Sequence, residues 1–237
     1  LMNQNLNKSF QIEPIGYIKS PYKEKFAVPR QPGLAPNAIS TIEFYPPFND
    51  ELAFIGLEGF SHLHVLFIFD KVDYQSFRPK VRPPRLGGNQ SVGVFATRSP
   101  FRPNRIGLSI VKLNRIIKQK GKVSLEVIGA DLVDGTPIVD VKPYIPFVDS
   151  VKDAVGGFAK EPPKMLLVEY KDDTKEKLIK LGENEFKAIE QSLRQDPRPA
   201  YKEKEQDTKI YQARLYEMVI SFVVKENTLQ VIKVEHA

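Results

Sequence analysis

Apolar and polar residues alternate in short runs through the first 145 residues, with the period of two that marks a half-buried strand. Ile12 to Lys19, Ile39 to Tyr45, Leu63 to Phe69 and Ser91 to Thr97 are such runs. Ile106 to Ile117 and Lys122 to Ala130 follow, separated by a turn at Gly121. Proline and glycine punctuate between them, at Pro29-Arg30-Gln31-Pro32-Gly33, Pro46-Pro47, Pro83-Pro84, Gly87-Gly88 and Asp134-Gly135. Strands at this spacing, with no helix of useful length between them, predict an antiparallel or mixed barrel and not a doubly wound α/β sheet. The pattern changes after a linker from Gly156-Gly157-Phe158 to Pro162-Pro163. Met165 to Tyr170 reads as a strand and Thr174 to Arg194 as helix, with Phe186, Ile189 and Leu193 on one face. Ile210 to Val224 and Leu229 to Val234 read as two more strands around a turn at Glu226-Asn227. The chain is therefore expected to be mainly β: a barrel over residues 1–160 and a small α+β carboxy-terminal subdomain over 161–237.

Hydrophobic residues make up 41% of the 237, enough for a sizeable core. Cysteine is absent, which excludes disulfides, thiolate zinc sites and cysteine nucleophiles together. Leu1 to Ser9 lacks the apolar core of a signal peptide, and no apolar run approaches the length of a membrane span. A soluble cytoplasmic protein is the expectation. The net charge of +6 changes the picture only through its distribution. Between Tyr74 and Leu125 there are twelve Lys or Arg and no Asp or Glu, so the charge is +12 here and −6 elsewhere. That is the footprint of phosphate binding. Arginine dominates from Arg78 to Arg105, where bidentate anion contacts are the natural use. Lysine dominates from Lys112 to Lys122, where a solvated face explains the residues at least as well.

Neither a GxGxxG turn nor a GxxxxGK[ST] loop is present, so a nucleotide-like cofactor would need another device. His62 and His64 share a strand face, but no third ligand is evident; packing or hydrogen bonding is expected of them, and no metal site. Three segments carry candidate chemistry. Gly93-Val94-Phe95-Ala96-Thr97-Arg98-Ser99-Pro100-Phe101-Arg102-Pro103-Asn104-Arg105-Ile106-Gly107 is a loop stiffened by two prolines, holding three arginines among eight residues. Arg98 and Arg102 read as preorganised anion receptors, against the alternative that they tie the loop to nearby carbonyls. In Asp131 to Tyr144, Asp134-Gly135 taken alone reads as a hairpin bend, while Asp140 sits in an apolar strand and needs a partner. Pro29 to Leu34 offers a glycine that allows close approach of a ligand.

These segments make the chain recognisable. GVFATRSPFRPNRIG at 93–107 resembles the hallmark of the TsaA-like (TrmO) family. Ser20-Pro21-Tyr22-Lys23-Glu24-Lys25-Phe26, Pro29 to Leu34, Gly59 to Leu63, Arg82 to Gly88, DGTPIVDVKPYIP at 134–146 and QDPRPAY at 195–201 are similar to its other motifs, in order along nearly the whole chain. The resemblance implies a single-sheeted β-barrel methyltransferase using S-adenosyl-L-methionine. The implied reaction is N6-methylation of threonylcarbamoyladenosine at tRNA position 37, in the anticodon loop. It also implies a homodimer with the active site near the subunit interface. By motif it assigns the cofactor to Gln31, Pro32 and Gly33, to Asp70 and Lys71, to Arg98 and Leu108, and to Asp134, Gly135, Thr136 and Pro137. Arg102, Asn104 and Arg198 fall on the RNA side, with Asp196 and Tyr201 as candidates for removing the acceptor proton.

Charge constrains these roles. A sulfonium is destabilised by a neighbouring arginine and favoured by a carboxylate, so Arg98 is expected to face the cofactor's carboxylate or an RNA phosphate. Arg102 or Arg198 suits the threonine carboxylate of the acceptor. Two rival readings stand beside this one: a non-catalytic RNA-binding barrel, stacking bases on Phe95, Phe101 and Tyr74, and a methyltransferase whose acceptor is not tRNA.

Overall fold

A computed structural model of the chain describes residues 9–73, 77–199, 202 and 209–237. The alternating runs form β1 (Gly16–Lys19), β2 (Ile39–Phe44) and β3 (His62–Ile68), then a short ribbon of β4 (Lys80–Val81) and β5 (Val92–Gly93). After it come β6 (Ile106–Gln119), β7 (Lys122–Ile128) and β8 (Pro137–Pro143). Six of these strands close a barrel in the order β1-β2-β7-β6-β3-β8. Every pairing in it is antiparallel, including the one between β1 and β8 that closes it. Closure leaves no free sheet edge.

Alternation decides what faces inward. On β3 Leu63, Val65 and Phe67 are buried, and they meet Val111 of β6, Val123, Leu125 and Val127 of β7, Ile42 of β2 and Ile18 of β1. Two glycines are fixed by close approach. A Cβ on Gly16 would lie 2.1 Å from the backbone oxygen of Glu43, and one on Gly107 would lie 2.3 Å from the ring of Phe67.

A short α1 (Pro146–Asp149) leads out of the barrel. The carboxy-terminal part then holds β9 (Leu167–Tyr170), α2 (Thr174–Ile179), α3 (Glu183–Leu193), β10 (Tyr211–Leu215), β11 (Met218–Lys225) and β12 (Thr228–His236). Its sheet runs β10-β11-β12-β9, with β9 parallel to β12. Leu178, Ile189 and Leu193 of the helices pack on Ile220, Phe222, Leu229 and Val231 of the sheet. Tyr22, Ala27, Ala35 and Ala38, from the loop between β1 and β2, belong to the same core.

Several expected boundaries shift, each for a local reason. The helix expected over 174–194 is two helices, because Gly182 adopts φ 132, outside helical space. The strand expected from Ile210 to Val224 is a hairpin. It turns at Tyr216, whose φ of 54 is held by its amide donating to the Pro21 carbonyl at 2.7 Å. In the run from Ser91 to Thr97 only Val92 and Gly93 pair as strand. The Thr97 hydroxyl donates to the Val94 carbonyl at 2.7 Å and closes a helical turn instead.

Candidate active site

The two stiff loops meet at one end of the barrel. The amide of Gly33 donates to the Gly129 carbonyl at 2.8 Å, which presses the Pro29 to Leu34 loop onto the end of β7. A Cβ on Gly129 would lie 3.1 Å from the Gly33 Cα, so the close approach favours glycine at 129, while the φ of 79 favours it at 33. Across from it stands the arginine loop. Arg98 Nη1 donates to Gln31 Oε1 at 2.6 Å, joining the two loops side chain to side chain. Between them lies a cavity of about 330 Å³, lined by Gln31, Phe67, Phe69, Arg98, Leu108 and Asp131, and also by Arg30, Thr97 and Arg102. That volume falls at the lower end of the range for small-molecule sites, about 300–1,000 Å³.

Asp131 is a site residue that the motifs do not single out. It follows β7, and its Oδ1 accepts a bond from the buried Ser109 hydroxyl at 2.5 Å. Burial pushes its carboxyl from 3.8 up to about 6, against the opposing pull of the Ser109 bond and the positive charge of Arg98. A carboxylate held at some electrostatic disadvantage in a cavity is a receptor for positive charge. Its signal in the sequence is an Asp directly after the apolar run Val123 to Ala130, overshadowed by the more conspicuous Asp134 and Asp140.

The other expected residues divide into groups. Arg102 Nη1 donates to the carbonyls of Thr97 at 3.0 Å and Ser99 at 3.4 Å, so it ties its own loop while bordering the cavity. Asn104 is exposed on that loop. Asp70, Gly135, Thr136 and Pro137 are not among the cavity's lining residues. Lys71 reaches the carbonyl of Asp134, whose carboxylate accepts from the Ser20 amide at 2.8 Å and pairs with Lys23 at 3.2 Å. Asp134 thus ties down the start of the β1–β2 loop, Gly135 takes φ 78 in the bend, and the Thr136 hydroxyl donates to the Val133 carbonyl at 2.6 Å. Pro32 lies between Gln31 and Gly33 on the clamped loop. Asp140, expected to need a partner inside an apolar strand, instead points its carboxylate into solvent, 42% exposed, where it meets Lys142 at 2.8 Å as a surface pair. His64 meets Asp149 at 3.1 Å and His62 the Ser61 hydroxyl at 2.9 Å. Among the described residues no group of three or more His, Asp or Glu is placed to hold a metal ion, and no helix is long and apolar enough to cross a membrane.

Asp196 and Arg198 face each other in a two-bonded pair, 2.8 Å at each contact and almost wholly buried. Both carboxylate oxygens are engaged there. The pair borders a second cavity, of about 200 Å³, lined also by Lys25, Arg30, Pro84 and Gln195. Arg30 Nη2 donates to the Asp196 carbonyl at 3.0 Å, and Gln195 Nε2 to the Leu34 carbonyl at 3.3 Å. Arg30 borders both cavities, so the end of α3 is stitched to the loop that walls the first one. Tyr201 lies outside the described residues.

Residues 17–150 match the family model of the tRNA-methyltransferase O N-terminal domain, and residues 163–237 that of the TrmO C-terminal domain. The tRNA (adenine(37)-N6)-methyltransferase of Escherichia coli strain K12 is 45% identical over 231 residues, covering 96% of this chain and 98% of that protein. The mouse protein of the same name is 44% identical over 140 residues, 58% of this chain and 31% of its own length. The crystal structure of TrmO from Pseudomonas aeruginosa superposes with a TM-score of 0.80 at 36% identity, covering 96% of this chain and 99% of that one. A shared fold, two matched domains and a near full-length relative lead to one assignment: the chain belongs to the tRNA-methyltransferase O family.

Proposed function

We propose that this protein transfers the methyl group of S-adenosyl-L-methionine to N6 of adenosine 37 in tRNA, and that the adenosine it accepts carries the threonylcarbamoyl group. The observation that carries the reading is the cavity shared by Gln31, Arg98, Leu108 and Asp131, walled in part by the arginine loop itself. Its donor set fits the cofactor. Arg98 suits a carboxylate, Phe67 and Phe69 offer apolar faces, and Asp131, the one acidic residue of the lining among the described residues, supplies negative charge that favours a sulfonium. S-adenosyl-L-methionine, when bound, supplies a methyl group that is already activated.

The protein's own residues then have three tasks. The Gln31–Arg98 contact fixes the two loops so that the reactants meet in line, which is the main contribution to such a transfer. Asp131 balances positive charge in the cavity lining. Arg102, which borders the cavity, is the guanidinium suited to select the threonine carboxylate of the acceptor, whereas Arg198, closed on Asp196, serves to hold the end of α3 in place. Asp134 holds the start of the β1–β2 loop through Ser20 and Lys23, with Lys71 bracing Asp134, and acts on the cofactor through that loop. A tRNA substrate also supports a cytoplasmic location.

The exposed apolar side chains of Phe147, Val148, Val151 and Val155, leading out of β8, support a homodimer, since a free monomer seldom leaves such a run in water. Sedimentation of the purified protein at twice the monomer mass is the expected result.

The central test is transfer of labelled methyl from S-adenosyl-L-methionine to tRNA with and without threonylcarbamoyladenosine. Label only in the modified tRNA is expected; label in neither overturns the reading. Arg98→Ala should weaken cofactor binding about tenfold or more by titration calorimetry, since a charge-assisted contact and the loop clamp are lost together. Unchanged affinity would remove Arg98 from the site.

A further inference from the structure

The ribbon of β4 and β5 does more than bridge the barrel. It pairs Lys80 with Gly93 and Val81 with Val92, and the Val94 amide donates to the Pro79 carbonyl at 3.0 Å. Val94 is buried, so it anchors the turn that follows. This arrangement holds two phenylalanines together in the open. Phe95 is 73% exposed and Phe77 48% exposed, with ring centres 6.4 Å apart and planes tilted by 31°. Phe101, directly after the loop's first proline, is already covered: the Arg78 guanidinium lies 4.9 Å over its ring. Tyr74 lies outside the described residues. Of the two phenylalanines that the sequence offers for stacking, Phe95 is thus the open one, and it has a neighbour, Phe77, that sequence separation conceals.

Two large rings kept in water on a braced turn need a partner. The surroundings decide which. No acidic residue occurs from Tyr74 to Leu125, while Arg78, Lys80, Arg82 and Arg85 flank the ribbon. A pair of open rings beside a basic stretch of chain matches single-stranded nucleic acid, whose bases stack and whose phosphates pair with arginine. The position relative to the cavity narrows this further. Two residues after Phe95 the chain reaches Thr97 and Arg98, which wall the cavity.

We propose that Phe77 and Phe95 form a stacking platform for a base adjacent to position 37, holding the anticodon loop open while the target base enters the cavity. This rests on the tRNA reading above. The platform explains why the arginine loop begins with an exposed aromatic, and it assigns RNA recognition to the ribbon, outside the cofactor site.

The experiment is steady-state kinetics with full-length tRNA for the parent, Phe95→Ala, Phe77→Ala and Phe95→Trp. KM for tRNA should rise about tenfold in the alanine variants and return toward the parent value with tryptophan, while KM for S-adenosyl-L-methionine stays fixed. A second arm uses tRNA made abasic on one side or the other of position 37. One of these substrates should lose the same factor with the parent enzyme, and Phe95→Ala should then cost nothing more. Alanine variants within twofold of the parent, or strictly additive losses, would overturn the platform. So would a change in the protein's sedimentation with tRNA kinetics unaltered, because the rings would then be a contact between copies of this chain. If the parent methylates no tRNA at all, the functional reading itself fails, and filter binding of RNA to the same variants decides the platform separately.

Discussion

In the cavity lining, Asp131 ionises against its own burial. Its carboxyl sits at about 6 in the folded protein against an ordinary value of 3.8, so between those pH values the folded state keeps a proton that the unfolded chain has released. Stability from this group is therefore lost as pH rises from about 4 through about 6, and the penalty persists above. The gap between 3.8 and about 6 corresponds to an upper limit of about 3 kcal/mol. Asp131→Asn should raise the thermal midpoint at pH 8 and leave it unchanged near pH 4, while methyl transfer falls. In the parent, transfer should climb as pH passes 6, and the asparagine variant should lose that rise. Equal midpoint shifts at both pH values would show that the ionisation is not the cause. Sequence and structure part company at this same scale. The partner expected of Asp140 from its apolar neighbours is not in fact required, because its carboxylate faces solvent and meets Lys142 there. Asp131 is not legible, because nothing local distinguishes a carboxylate that faces a cavity from one that faces water.

The barrel strands are readable because closure buries one face of each, and a buried face imposes a period of two. Shorter elements escape for the opposite reason. The β4–β5 ribbon has two residues on each side, too few for any pattern, and the break at Gly182 depends on one dihedral angle. Two glycines give the strand scale its tests. Gly16→Ala drives a methyl into the Glu43 backbone, which cannot yield without parting β1 from β2, and a loss of about 2–3 kcal/mol or more is expected in urea unfolding. Gly107→Ala instead meets the ring of Phe67, a wall of the cavity. The ring can turn, so this variant should lose cofactor affinity more than stability. If both variants lose stability alike and bind cofactor alike, the distinction between backbone and side-chain obstruction is wrong.

For the whole molecule, the decisive fact is that the second core is not built by the carboxy-terminal residues alone. Tyr22, Ala27, Ala35 and Ala38 enter it from the β1–β2 loop, and the Tyr216 amide returns to Pro21. The same loop walls the cavity through Gln31, and Gln195 and Arg30 fasten it to the end of α3. The two parts should accordingly unfold together: calorimetry of the intact chain should give one transition whose calorimetric and van't Hoff enthalpies agree. Two separated transitions would show the cores to be independent. Gln195→Ala, far along the chain from the cavity, should lower cofactor affinity by loosening that loop.

The sequence by itself determined the class of the fold, since strand periodicity and proline–glycine punctuation are local, and it determined the family, since long motifs recur in order. It also determined that a stiff arginine loop and a glycine-bearing loop would carry the candidate site. The tertiary structure alone decided which of those residues meet: Arg98 with Gln31 over Asp131, Asp134 with Ser20 and Lys23 instead, and Phe95 with Phe77. The physical reason is that a site is a set of distances between residues far apart in sequence. Those distances are fixed only once the barrel closes and the β1–β2 loop is trapped between two cores.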